Sequence, residues 1–311
     1  MRLYPGGPSI ASCAWRRRLT RSGLPDLIGW RDPQLAETTM AELLKALALP
    51  LMRHALLGML VAGASFSLLG VVVVSLNLTA IRFTLMHIGL LGAAAGLAMG
   101  FSSSAGAFVA VLLASLLMGL SGRKLAISSG SVLALFMTAA LAGAFILLAV
   151  AGVPAMEVFG VFAGNILMLT RLDLWLVIGL GGLIVAVFVL AYHEIQLVLL
   201  DGELARAQGV PVELVSCALY LLLGAGVAGA LRLVGALLVD AVILLPAVAA
   251  LRFARGFGSA LALTALFGVL TCLLGFVAAV MLDWPIGASA AAAACIILGL
   301  SVLVSKLSRR S

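Results

Sequence analysis

Residues 193–211 read His-Glu-Ile-Gln-Leu-Val-Leu-Leu-Asp-Gly-Glu-Leu-Ala-Arg-Ala-Gln-Gly-Val-Pro, a polar stretch between two apolar runs, 173–192 and 212–231. Asp201 is a residue type that caps a helix N-terminus, and Glu203 falls in the first turn, where a negative charge is favourable. Gly209 can end that helix, and Pro211 stops any continuation. The stretch therefore predicts a short polar helix within the loop 193–211. The flanking runs are each close to the roughly 20 apolar residues that cross a bilayer. A capped helix held between two such runs is a rigid lever at a membrane surface.

The same apolar length recurs along the chain. Nine segments meet it: 54–76, 83–101, 105–122, 128–152, 173–192, 212–231, 233–251, 257–281 and 286–305. Hydrophobic residues are 64% of the 311 and charged residues 10%. A soluble domain carries roughly 25% charged residues, so lipid must be the solvent for most of this chain. Runs dominated by Ala and Leu, without polar alternation, exclude an outer-membrane barrel. The expected fold is all-α: a polytopic integral membrane protein of about eight to nine transmembrane helices. Gly92, Gly96 and Gly100 form a repeated G-x-x-x-G pattern, expected to let a neighbouring helix approach closely.

The net charge of +7 comes from basic residues lying between apolar runs, which reads as topology and lipid-headgroup contact rather than nucleic-acid binding. With nine spans and the C-terminus in the cytoplasm, Arg82, Arg123, Lys124, Arg206, Arg252, Arg255, Lys306, Arg309 and Arg310 fall inside. From Met40 onward, Lys45, Arg53, Arg171 and Arg232 fall outside. The excess inside places the N-terminus outside and the 193–211 loop in the cytoplasm. Residues 1–39 differ in composition, with Arg16, Arg17 and Arg18 and no apolar core for a signal peptide. They are expected to be a non-native or disordered extension, leaving 40–311 as the transmembrane domain. Cys217, Cys272 and Cys295 lie in apolar runs without ligand-like spacing and read as small packing residues. Met86, Met99, Met118 and Met137 read as gap fillers ahead of soft copper(I) ligands.

Within the spans the informative groups are ionisable ones, which are costly there and mark function by default. Two stand well inside: His87 and Asp240. Imidazole and carboxylate are ligands for zinc, manganese and iron. At about 1.5 Å per residue the two differ in depth by roughly 10 Å in a core about 30 Å thick. They are either one site drawn together by tilt or successive stations on one path, or Asp240 pairs with another residue. Pro246 follows Asp240, removes a helical hydrogen bond and is expected to kink its span. Asn165, Thr264 and Thr271 are candidates for bonds between helices. No G-x-x-x-x-G-K-[ST] phosphate loop occurs, since Gly122-Arg123-Lys124 lacks both the spacing and the hydroxyl. Nor is there a nucleophile–base arrangement, so the chain reads as a non-enzyme.

Four motifs carry a family resemblance. Asp201-x-Glu203-x-Ala205-x-x-x-Gly209-Val210 resembles the coupling-helix segment of the zinc and manganese ABC importer permeases. Val234-Gly235-Ala236-Leu237-Leu238-Val239-Asp240-Ala241-Val242-Ile243-Leu244-Leu245-Pro246-Ala247 resembles their Val-Gly-x-Leu-Leu-Val stretch ending in Leu-Pro-Ala. Met86-His87-Ile88-Gly89-Leu90-Leu91-Gly92 resembles their Ser-His-Ala-Ala-Leu-Pro-Gly type stretch, and Phe162-Ala163-Gly164-Asn165-Ile166-Leu167 their short outer segment. The resemblance runs from about residue 48 to 306. It implies the ABC importer permease fold of the metal or metal-chelate type, and an ATP-driven import of zinc, manganese or iron. It also implies a homodimer with its pore on the twofold axis, in the inner membrane of a bacterial or archaeal cell. ATP would be hydrolysed by a separate ABC ATPase on the coupling helices, and an extracytoplasmic binding protein would deliver the ion. No other cofactor is implied. The coupling contacts map onto Asp201, Glu203, Ala205, Arg206 and Gly209. The family carries an Asp four residues before the His, where this sequence has Phe83, and a Ser or Thr where it has Asp240. That departure leaves open a chelated metal or small organic nutrient as cargo. An ion-coupled secondary transporter is the third reading, and the single mid-span carboxylate speaks against it.

Overall fold

The computed structural model describes residues 48–121, 130–152, 171–235 and 239–308. The 1–39 extension, the Phe162–Leu167 motif with Asn165, Gly122-Arg123-Lys124, and residues 236–238 of the Val234–Ala247 motif lie outside the described residues.

Among the described residues eight helices are long and apolar enough to cross a membrane. They are α1 (Pro50–Ser75), α2 (Thr79–Ala98), α3 (Ser103–Ser121), α4 (Gly130–Ala151), α5 (Arg171–Leu190), α8 (Val212–Val234), α10 (Phe257–Leu282) and α11 (Ile286–Ser308). Apolar side chains run around most of each helix, as lipid on one side and protein on the other require. Pro50 opens α1, at the position where its missing N–H is no loss. α1 is the central helix, with Ala55, Met59, Ala62, Phe66 and Leu69 fully buried. It packs on α5, α8 and α10, while α2, α3 and α4 form a second group reached mainly through α8.

Two further helices complete the stretch 193–211. Only Ala191 separates α5 from α6 (Tyr192–Leu200), so 193–200 is helical rather than loop, and α7 (Gly202–Ala207) follows. The run 233–251 departs furthest from expectation. It has the length of a span, yet α8 ends at Val234 and Gly235 adopts φ +87°. Beyond the break come a π-helical turn, Asp240–Leu244, and α9 (Leu245–Ala250). These eleven residues reach roughly 16 Å, about half the hydrocarbon core. Leu245 N–H donates to the Asp240 carbonyl, closing the wide turn. Pro246 stands just after it and has no N–H, so the widened turn takes the place of an ordinary kink. Val71 and Ser75 of α1, Leu199 and Leu200 of α6, and Leu251 and Phe257 line one cavity. The half-length segment thus returns the chain to the end of the bundle at which α7 lies, and eight full-length spans stand among the described residues against nine apolar runs in the sequence.

The glycine pattern on α2 is corrected at one position. Gly92 and Gly96 do meet α3: a Cβ on Gly92 would lie 2.6 Å from the Gly106 carbonyl oxygen. Gly100 faces open space and adopts φ +78°. Its N–H donates to Leu97 O and that of Phe101 to Gly96 O, so it terminates α2 in a left-handed cap instead of extending the ridge.

Candidate functional site

The site is best built from α2. Its N-terminal turns carry Arg82, Phe83 and, one turn on, His87. Phe83 is 39% exposed, His87 is half-buried, and Arg82 is buried at 3% exposure. The sequence reading counted Arg82 as a loop cation that sets topology. The structure corrects this, because Arg82 forms an ion pair with Asp240 across to the π-helical turn. Its guanidinium also lies 4.6 Å from the centre of the Phe83 ring. The aromatic face and the carboxylate together hold a cation that would otherwise be strongly disfavoured inside the bundle. Phe83 is thus a platform for Arg82.

His87 is oriented by the same turn. Its Nδ1 lies 2.7 Å from the Phe83 carbonyl oxygen. A carbonyl only accepts, so Nδ1 carries a proton and donates to it. That bond fixes the orientation of the imidazole ring. The two candidate residues are therefore linked through intermediates: Asp240 to Arg82, Arg82 to the Phe83 ring, and the Phe83 backbone to His87. A reaching arginine bridges the expected depth gap. The signal for it was the lone carboxylate itself, since a buried Asp calls for a counter-ion. Among the described residues no group of three or more His, Cys, Asp or Glu side chains could hold a metal ion.

A second ion pair joins α5 and α8, with the partly exposed Arg232 2.5 Å from the buried Asp173. Arg232 is therefore another basic residue engaged in the fold. Without it and Arg82 the topology count stands at eight inside and three outside, and its direction is unchanged. Thr264 and Thr271 are buried on α10, and neither hydroxyl makes the expected interhelical bond among the described residues. Thr84 makes one instead, donating to Leu133 O at 3.2 Å. Met86 and Met118 are core residues while Met99 is 66% exposed, a scatter that fits gap filling. Cys217, Cys272 and Cys295 are free thiols.

At the other candidate region, α7 has the expected caps. The Asp201 carboxylate accepts from the N–H groups of Glu203 (2.8 Å) and Leu204 (3.2 Å). At the C-terminus Gly209 adopts φ +83°. Its N–H donates to Arg206 O and that of Val210 to Ala205 O, each at 3.0 Å, the paired bonds of a Schellman motif. Ala205 is fully buried and seats the helix. Arg206 reaches the Glu213 carboxylate at 3.1 Å on the first turn of α8, and Glu203 is exposed. Replacing Asp201 by Ala is expected to cost α7 about 1 kcal/mol, measured as faster amide exchange at Glu203 and Leu204.

Residues 48–305 match the model of the ABC 3 transport family. The chain is 26% identical over 238 residues to the manganese transport system membrane protein MntC of Halalkalibacterium halodurans, covering 76% of this chain and 82% of that protein. It is 25% identical over 260 residues to the manganese import system permease protein ScaB of Streptococcus parasanguinis, covering 84% and 92%. In structure it is similar to a chain of PsaBC from Streptococcus pneumoniae in complex with Fab, with a TM-score of 0.73, 25% identity, and 84% and 95% of the two chains covered. A metal-chelate type ABC transporter in an inward-facing conformation shares the fold, with a TM-score of 0.61 at 19% identity over 81% and 85%.

Proposed function

The chain belongs to the ABC 3 transport family, and from that we propose that it is the membrane-spanning subunit of an ATP-driven importer of a divalent metal ion. Manganese is the favoured cargo over zinc or iron, because the relatives above are named for manganese. A nitrogen and a carboxylate suit all three ions, so the ligand types alone do not choose among them. The observation that carries the reading is the doubly capped helix α7 set between α6 and α8. Such a helix transmits a push without bending, which is what a subunit driven by a separate ATPase needs. Glu203 and the α7 surface around Arg206 are its docking contacts in this reading, with α7 on the cytoplasmic side. A second copy of the chain completes the pore, and an extracytoplasmic binding protein delivers the ion to the opposite end in the bacterial plasma membrane.

In this reading the ion is met by the His87 imidazole on α2. Phe83 supplies no carboxylate, and Asp240 is neutralised by Arg82. This poverty of charge favours one alternative: a cargo in which the metal arrives already chelated, recognised by shape more than by direct ligation.

Whole-cell metal content under metal limitation separates the two. Deleting the gene should lower manganese selectively, and restoring the intact chain should recover it. His87→Ala should recover less than about a tenth, since loss of even an outer-shell partner of a ligand costs about 10–100-fold in metal affinity. A selective fall in zinc or iron would rename the ion. A fall in metal that His87→Ala restores as fully as the intact chain would favour the chelate, and an unchanged metal profile would sink both.

A further inference from the structure

The Arg82–Asp240 pair is lopsided. The Arg82 side chain is 4% accessible, whereas that of Asp240 is 35% accessible. The guanidinium sits behind, and of the Asp240 side chain the paired Oδ1 is buried while the rest is accessible. Arg82 Nε finds no hydrogen-bond partner among the described residues, although a guanidinium offers five donors in all. Its charge is met by one carboxylate and one ring face. A pair serving only to fasten α2 to the π-helical turn would have no need to keep its carboxylate accessible. It would also gain from saturating the guanidinium with backbone carbonyls.

We propose that Arg82 is a tethered competitor for the Asp240 carboxylate, which makes it a specificity-determining residue for the transported cation. The inference rests on the metal-importer reading and adds a residue that the reading does not contain. Conduction needs a site that attracts an ion and then lets it go. A bare carboxylate within the span would be costly when empty and retentive when filled. With Arg82 in place the carboxylate is neutralised between cargo ions. A dication brings two compact charges against one delocalised charge and can draw Asp240 away from the guanidinium. A sodium ion brings one and cannot. When the dication departs, Arg82 returns to the carboxylate from the Phe83 ring face, where it has stayed. Release is thereby assisted and monovalent ions are refused by the same side chain.

The test uses the full-length chain with its ATPase in proteoliposomes, scored for Mn²⁺ binding, Mn²⁺ uptake and inhibition by Na⁺. Arg82→Gln should bind Mn²⁺ at least about tenfold more tightly, a modest step on the scale of charge-pair removal. Its uptake should fall, and Na⁺ should become an inhibitor. The double variant Arg82→Gln/Asp240→Asn keeps a neutral, hydrogen-bonding pair of nearly the same shape. It should insert normally and bind Mn²⁺ at least about tenfold more weakly than the unaltered chain. If Arg82→Gln fails to insert, the double variant alone decides. Normal binding and uptake by the double variant would make the pair purely structural and overturn the proposal. So would an Arg82→Gln protein with unchanged affinity and no response to Na⁺. An unaltered chain that moves no divalent ion at all would fail the importer reading itself, and the inference with it.

Discussion

Gly209→Pro should reduce ATP-driven accumulation of the ion to background while leaving the amount of chain in the membrane unchanged. The residue stands at φ +83° with open space around it, so the demand at this position is on the backbone. Proline is fixed near φ −65° and has no N–H. It therefore loses the bond to Arg206 O outright, and the altered backbone withdraws Val210 from Ala205 O. Both bonds are what turn the chain sharply from α7 into α8. Without them α7 frays, and the buried Ala205 no longer seats it. Insertion is governed by the long apolar helices, none of which contains Gly209, and so is expected to survive. Gly209→Ala, which tolerates a left-handed backbone at a cost of about 1–2 kcal/mol, should retain part of the transport. Uptake into vesicles with the ATPase present, normalised to inserted protein by immunoblot, gives the measurement. Full uptake by the proline variant would show that α7 does not transmit the stroke.

How α7 and the spans came to be legible has a common cause: both are specified locally. Asp201 and Gly209 act within one or two turns of themselves, and an apolar run is measured against a bilayer of known thickness. The runs 54–76 and 257–281 accordingly appear as Pro50–Ser75 and Phe257–Leu282. The failures are those in which the deciding partner is distant in sequence or the backbone is irregular. Hydropathy sums over 233–251 and is blind to the break at Gly235 and the π-helical turn before Pro246. Arg82 lies near the start of its run, where a basic residue ordinarily snorkels to the interface. Only the reach of its long side chain across to the turn brings it to Asp240. Gly100 shared a four-residue spacing with Gly92 and Gly96, but spacing cannot tell a ridge from the residue that ends the helix. The half of the site that escaped the sequence reading, Arg82 and the Phe83 ring, is the half made by tertiary contact.

That contact depends on how closely α1 approaches the π-helical turn, and Gly70 sets the approach. A Cβ on Gly70 would fall 1.8 Å from the Ile243 carbonyl oxygen and 2.7 Å from the Ala247 Cβ. The first of these is a backbone atom, so no side-chain rotation relieves it. Gly70→Val should therefore push the Asp240–Leu244 turn off α1, at the upper end of the 1–3 kcal/mol typical of overpacking or beyond. The expected result is a clear drop in the thermal unfolding temperature in detergent, together with loss of uptake, because Asp240 opens the displaced turn. Gly299→Ala, where nothing lies within 4 Å of the added methyl, should change neither. The contact responsible can be identified by adding Ala247→Gly to Gly70→Val. That change removes the side-chain obstacle and leaves the Ile243 carbonyl in place, so the double variant should stay impaired. Full recovery would show instead that the turn is free to shift, and that α1 does not set the position of Asp240.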